Sequence, residues 1–110
     1  MIQDTINIAT DFSDVPAGRY YTDGDTSWQK FYETILRDKF DNALLGNYEI
    51  DIILDGVWWL PPSFLSASFG ELSTLHGSEK VLRHLHFTSN DEDPTNLEDV
   101  LNEIRNPEAR

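Results

Sequence analysis

DIILDGVWWLPPSFLSASFGELSTLHG, residues Asp51 to Gly77, reads as the end of a buried strand, a proline-bearing turn and a helix. The strand begins a little earlier, at Tyr48, and its aromatic and β-branched residues favour extended backbone. Ile50, Ile52 and Leu54 alternate onto one face and Ile53 onto the other, so one face is buried and the second partly covered. Asp55-Gly56 is a turn signal. Val57-Trp58-Trp59-Leu60 then packs two of the chain's three tryptophans into one apolar run. Pro61-Pro62 can neither continue a ladder nor sit inside a helix, so the chain turns there. From Ser63 onward, Phe64, Leu65, Ser68, Phe69, Leu72 and Leu75 recur at helical spacing, and Gly77 suits the helix end. Ser66, Ala67 and Gly70 make this helix unusually small on one side. Glycine inside a helix costs roughly 0.5–1 kcal/mol, which close packing on the sheet would offset.

Outward from this stretch, Thr5 to Ala9 alternates and reads as a first strand, with Arg19-Tyr20-Tyr21 as a short second strand hairpinned onto it. Thr26 and Gln29 have capping-box spacing, and Trp28, Phe31, Tyr32, Ile35, Leu36 and Phe40 form one wide apolar stripe of a helix. Leu82 to Ser89 alternates and reads as a strand. Thr95 and Glu98 open a last amphipathic helix carrying Leu97, Val100, Leu101 and Ile104; residues 106–110 read as a frayed tail. The expected fold is α/β: one small domain over residues 1–110, with a four-stranded mixed sheet in the order β-β-α-β-α-β-α and helices packed on it.

Composition narrows the function classes. Twenty acids against eight bases give a net charge of −12, which opposes direct nucleic-acid binding and docking on an anionic membrane. With no cysteine there is no disulfide, thiolate metal site or thiol nucleophile. No signal-peptide pattern is read, and no apolar run approaches the ~20 residues needed to span a bilayer, so a soluble cytoplasmic protein is expected.

The candidate chemistry is sparse. His76, His84 and His86 are the only histidines; His84 and His86 would share one face of the last strand, and a metal would need carboxylates such as Asp55 or Glu71. No metal or other cofactor is expected. Ser63 lacks a nucleophile-elbow motif, and no phosphate-binding loop is present, so an enzyme is not expected. Directly after Pro62, Ser63 instead suits a helix N-cap, and a second reading adds regulatory phosphorylation there. Arg19 lies among Asp11, Asp14, Asp23 and Asp25, either as a local ion pair or as a partner contact.

Phe12-Ser13, Pro16-x-Gly18-Arg19-Tyr20 and Ser63-Phe64-Leu65-x-x-x-Phe69-Gly70, in that order around the Asp55-Gly56 strand end, resemble the bacterial STAS-like domain family of unknown function, DUF4325. The resemblance covers roughly residues 5–90. Ser66-Ala67-Ser68 departs from it where an acidic pair is expected. The family is related to the anti-sigma factor antagonists, whose resemblance implies a small sheet with packed helices and binding to a protein, often a kinase-like ATPase or another regulatory partner. It also implies a phosphorylatable serine at the start of the helix after a central strand, and Ser63 is the nearest match. The Asp-Ser pair usual in that switch is replaced, since Pro61-Pro62 precede the serine.

Two functions follow. The first is a regulatory protein–protein interaction module whose contact surface is Trp58, Trp59, Pro61, Pro62, Ser63 and Arg19, with a homodimer left open. The second is an acidic decoy, a nucleic-acid mimic or antitoxin-like inhibitor of a basic nucleic-acid-binding protein.

Overall fold

The structure, a computed structural model, describes residues 2–13, 28–90 and 94–107. Its centre is the strand β2, Glu49–Ile53, paired in parallel on one side with β1, Ile2–Asn7, and on the other with β3, Leu85–Thr88. The register aligns Ile6, Ile52 and Phe87 across the three strands and sets Ile50 beside Leu85. Ile6, Ile50, Ile52 and Leu85 point into the core. Thr5, Asp51, Ile53, His86 and Thr88 fall on the opposite face, where all are exposed or half-buried. One face of the sheet is therefore the floor on which the helices stand.

The expected four-stranded mixed sheet is corrected: among the described residues the sheet has three strands, all parallel. The fourth expected strand, Arg19–Tyr21, and the capping residue Thr26 lie outside the described residues. β1 also sits earlier than Thr5–Ala9. Asn7 ends it by capping the short helix α1, Ile8–Asp11: its side chain accepts from the Thr10 amide, while the Asp11 carboxylate accepts from the Asn7 amide at 2.8 Å.

The next helix follows the expected apolar stripe. It runs as α2, Trp28–Phe31, a π-helical segment, Tyr32–Leu36, and α3, Arg37–Gly46. Phe31, Leu36, Phe40 and Ala43 are fully buried. Asn47, left-handed at φ 54°, ends it and hands the chain to β2.

The helix expected from Ser63 to His76 is two helices. α4, Pro62–Ala67, stops at Ser68, whose hydroxyl turns back to the Phe64 carbonyl at 2.6 Å; α5, Phe69–His76, then resumes. Gly77, at φ 91°, closes α5 through its amide to the Ser73 carbonyl and opens α6, Ser78–His84, through its carbonyl to the Val81 amide. The strand expected over Leu82–Ser89 is accordingly shorter. Val81 and His84 belong to a helical turn because both are buried, and the His84 ring nitrogen Nδ1 bonds the Tyr48 carbonyl at 2.9 Å.

The last helix, α7, spans Thr95–Arg105 and begins with Pro94 as its N-cap residue, so Thr95 lies inside the helix instead of capping it. It buries Val100 and Ile104. The small residues of α5 meet α7 instead of the sheet: the buried Ser73 hydroxyl bonds the Ile104 carbonyl, and the Glu103 side chain lies over Gly70. Phe12, Phe31, Phe64 and Phe69 fill the space between these helices with centroid separations of 5.3–6.3 Å.

The two glycines of α5 differ in what they require. A Cβ at Gly77 would meet no neighbour, so only its positive φ matters. Gly77→Ala is expected to cost about 1 kcal/mol, lowering the melting temperature by about 4 °C. At Gly70 a Cβ would fall 2.8 Å from the Glu103 carboxylate, the far end of a flexible side chain. Gly70→Ala should cost less, because helix propensity repays part of the shift. The reverse order in thermal melts would mean that Glu103 is held rigidly over α5.

Candidate functional site

The loop from Leu54 to Pro61 leaves β2 at the carboxyl end of the parallel sheet, the end where open α/β sheets place their binding sites. Its start is fixed by backbone bonding: the Leu54 amide donates to the Thr88 carbonyl at 2.9 Å, and the Val57 amide closes the turn on the Leu54 carbonyl at 3.2 Å. The Asp55 carboxylate accepts from both the amide and the side chain of Asn90, at 2.6 and 3.0 Å, and so ties the exit of β2 to the exit of β3. Gly56 takes φ 88° in this turn. Further on, the Asn96 side chain of α7 donates to the Val57 carbonyl at 3.0 Å.

Between those ties the side chains divide sharply. Val57 and Leu60 are buried in the core, while Trp58 is 82% exposed and Trp59 56% exposed. The two buried residues clamp the loop and force the residues between them outward. Indole rings this exposed are a large solvent cost unless something covers them, and tryptophan is the residue most enriched at binding hot spots. Pro61 is half-buried and Pro62 exposed, extending the same surface to the start of α4.

Ser63 lies on this surface, half-buried, but it does not cap the helix. The N-cap is Pro61, at φ −60° and ψ 147°, with Pro62 the first helical residue and Ser63 the second. The double proline moves the helix start one residue ahead of the expected cap. Pro62 has no N–H and the Leu65 amide already bonds the Pro61 carbonyl at 3.0 Å, so the amides of Ser63 and Phe64 are the first-turn donors without an intrahelical acceptor. Arg19, the remaining expected contact, lies outside the described residues.

The histidines fall into two environments. His84 is buried on α6 rather than on a strand face, and both it and His76 pack against Phe40, at 6.2 and 5.1 Å between centroids. His86 stands on the face of the sheet away from the helices, its Nδ1 3.2 Å from the Asp51 carboxylate, which also accepts from the Thr88 hydroxyl at 2.6 Å. A carboxylate only accepts, so Nδ1 carries the proton. Ser63 is not among the partners of this group. Among the described residues no three histidine, aspartate or glutamate side chains are grouped to hold a metal ion, and no helix is long and apolar enough to cross a membrane.

A family model described as a STAS-like domain of unknown function (DUF4325) matches residues 29–94. The matched span includes β2, the tryptophan loop, α4 to α6 and β3, and leaves out β1 and α7. No curated protein and no solved structure matches the chain.

The loop's division can be checked by stability alone. Trp58→Ala and Trp59→Ala should each shift unfolding by less than about 1 kcal/mol, as exposed side chains do. Leu60→Ala, in the same loop, should cost about 2–5 kcal/mol, as a buried leucine does. Urea titrations of the three variants measure this; an equal cost at Trp58 and Leu60 would place Trp58 in the core.

Proposed function

Because the chain belongs to the family of STAS-like domains of unknown function, we propose that it works as a non-enzymatic regulatory interaction module. Its contact surface is Trp58, Trp59, Pro61, Pro62 and Ser63. The partner is a protein, and the resemblance to anti-sigma factor antagonists favours a kinase-like ATPase or another bacterial regulatory protein.

The observation that carries this reading is the outward projection of both tryptophans from a loop anchored at Val57 and Leu60. A large apolar surface held in one conformation loses little entropy on binding, which is what a recognition surface requires. The double proline stiffens the same edge.

Ser63 is the point of control in this reading. A phosphate there would meet the outward amides of the first turn of α4 and place about two negative charges beside the tryptophans. In a chain already at −12, that addition would repel an acidic partner and desolvate poorly against an apolar one.

The decoy reading makes a different demand. It spreads the contact over the acidic surface, so binding would fall with salt whether or not the tryptophans are present.

The test begins with affinity capture of the partner from the source cell and continues with the purified pair. Trp58→Ala and Trp59→Ala are each expected to weaken binding by about 30-fold, the hot-spot range, with circular dichroism unchanged. Ser63→Asp should alter binding, weakening it for an acidic or apolar partner and strengthening it for a basic one, and Ser63→Ala should leave it unchanged. Binding that survives both tryptophan substitutions but disappears at high salt would replace this reading with the decoy.

A further inference from the structure

α7 carries Asn96, Asp99, Asn102, Glu103 and Asn106 along one flank, at near-helical repeats. At one end of that flank Asn96 holds the Val57 carbonyl. Farther along, Asp99, Asn102, Glu103 and Asn106 face Pro62 and Leu65 across a groove of about 200 Å³. The flank thus runs beside the tryptophan loop from Val57 to Pro62. The groove has proline and leucine on one wall and carboxylates and amides on the other, and among the described residues no basic side chain lines it. Asp99 is half-buried and forms no hydrogen bond or ion pair with another described residue. Arg105 shares a separate shallow depression with Glu98, Asp99 and Leu101 but pairs with neither acid.

We infer that this groove, with the tryptophan loop that leads into Pro62, takes a cationic segment of the partner protein, one that presents arginine or lysine next to an apolar residue. The inference rests on the reading of Trp58 and Trp59 as contact surface and specifies what that surface receives. Charge complementarity selects the occupant. A half-buried carboxylate without a cation is where a guanidinium or ammonium gains most, and the net charge of −12 draws basic chains from a distance. The aromatic component points the same way. Indole faces attract cations, arginine above all, and the aliphatic stem of either base packs on proline and tryptophan while its head reaches the carboxylate. An acidic partner would leave Asp99 facing like charge, and a purely apolar one would desolvate it without compensation.

The experiment probes an array of immobilised random-sequence peptides with the full chain, alongside an unrelated protein of similar negative charge. Variants Trp58→Ala/Trp59→Ala and Asp99→Lys are run in parallel, each checked for an unchanged circular dichroism spectrum. The expected result is that peptides retained above the control are enriched in arginine or lysine beside apolar residues. The tryptophan double variant should lose them, and Asp99→Lys should weaken them by about two- to fivefold, the range of an exposed ion pair. Peptides lost with the tryptophans but without basic enrichment, and unmoved by Asp99→Lys, would overturn the cationic occupant and leave the docking surface standing. Retention indifferent to the tryptophans, or no retention above the control, would overturn both.

Discussion

Burial of a single face of the central strand organises this domain. β2 is flanked by parallel partners on both edges, so its backbone bonding is spent within the sheet, and Ile50, Ile52 and Leu54 are fully buried on one side. A parallel pair cannot be joined by a tight turn; each return has to pass over the sheet. Among the described residues both returns carry helices. They bring Phe31, Leu36 and Phe40 from the first crossover and Phe64, Phe69, Leu72 and Val81 from the second onto the same apolar floor. The exit of β2 then becomes the point where three parts of the chain meet: Asp55 bonds Asn90 after β3, and Asn96 of α7 bonds Val57. The tryptophan loop owes its fixed shape to that meeting.

The central strand and the helix over residues 28–46 were legible because their patterns are local. Alternation at Ile50, Ile52 and Leu54 and the apolar stripe from Phe31 to Phe40 each agree with one period only. What misled were ends, where one side chain outweighs several residues of pattern. Asn7 ends β1 two residues before alternation does, and a signal for this was present in the sequence: asparagine is a favoured helix N-cap residue. Leu82 to His84 alternate as a strand would, yet His84 finds the Tyr48 carbonyl from a helix. Ser63 looks like a cap until the preceding prolines are followed through. With Pro61 already extended and Pro62 already helical, the serine arrives two positions past the cap.

The site was legible in location but not in character. Trp58 and Trp59 stand out in composition, yet buried and exposed tryptophans read alike in a sequence. Only the positions of Val57 and Leu60 in the core decide that the pair faces outward. The acidic flank of α7 could not be assigned to the loop at all, because that contact joins residues far apart in the chain through Asn96. The small residues Ser66, Ala67 and Gly70 were read as a close approach to the sheet; at Gly70, and at Ser73 one turn on, the approaching element is α7. Periodicity shows that a helix face is tight without showing what it is tight against.

The all-parallel topology also bears on how the chain reaches this state. Ile6 cannot pair with Ile52, nor Ile52 with Phe87, until the long intervening chain has passed back over the sheet. Such non-local pairing is slow, and while it is pending the Tyr48–Leu54 segment is an unpaired apolar strand open to other copies of itself. Glu49 and Asp51 interrupt that segment and Asp55 closes it. The same carboxylates that later bond Asn90, His86 and Thr88 therefore act first as gatekeepers against aggregation, at the one strand in the chain that most needs them.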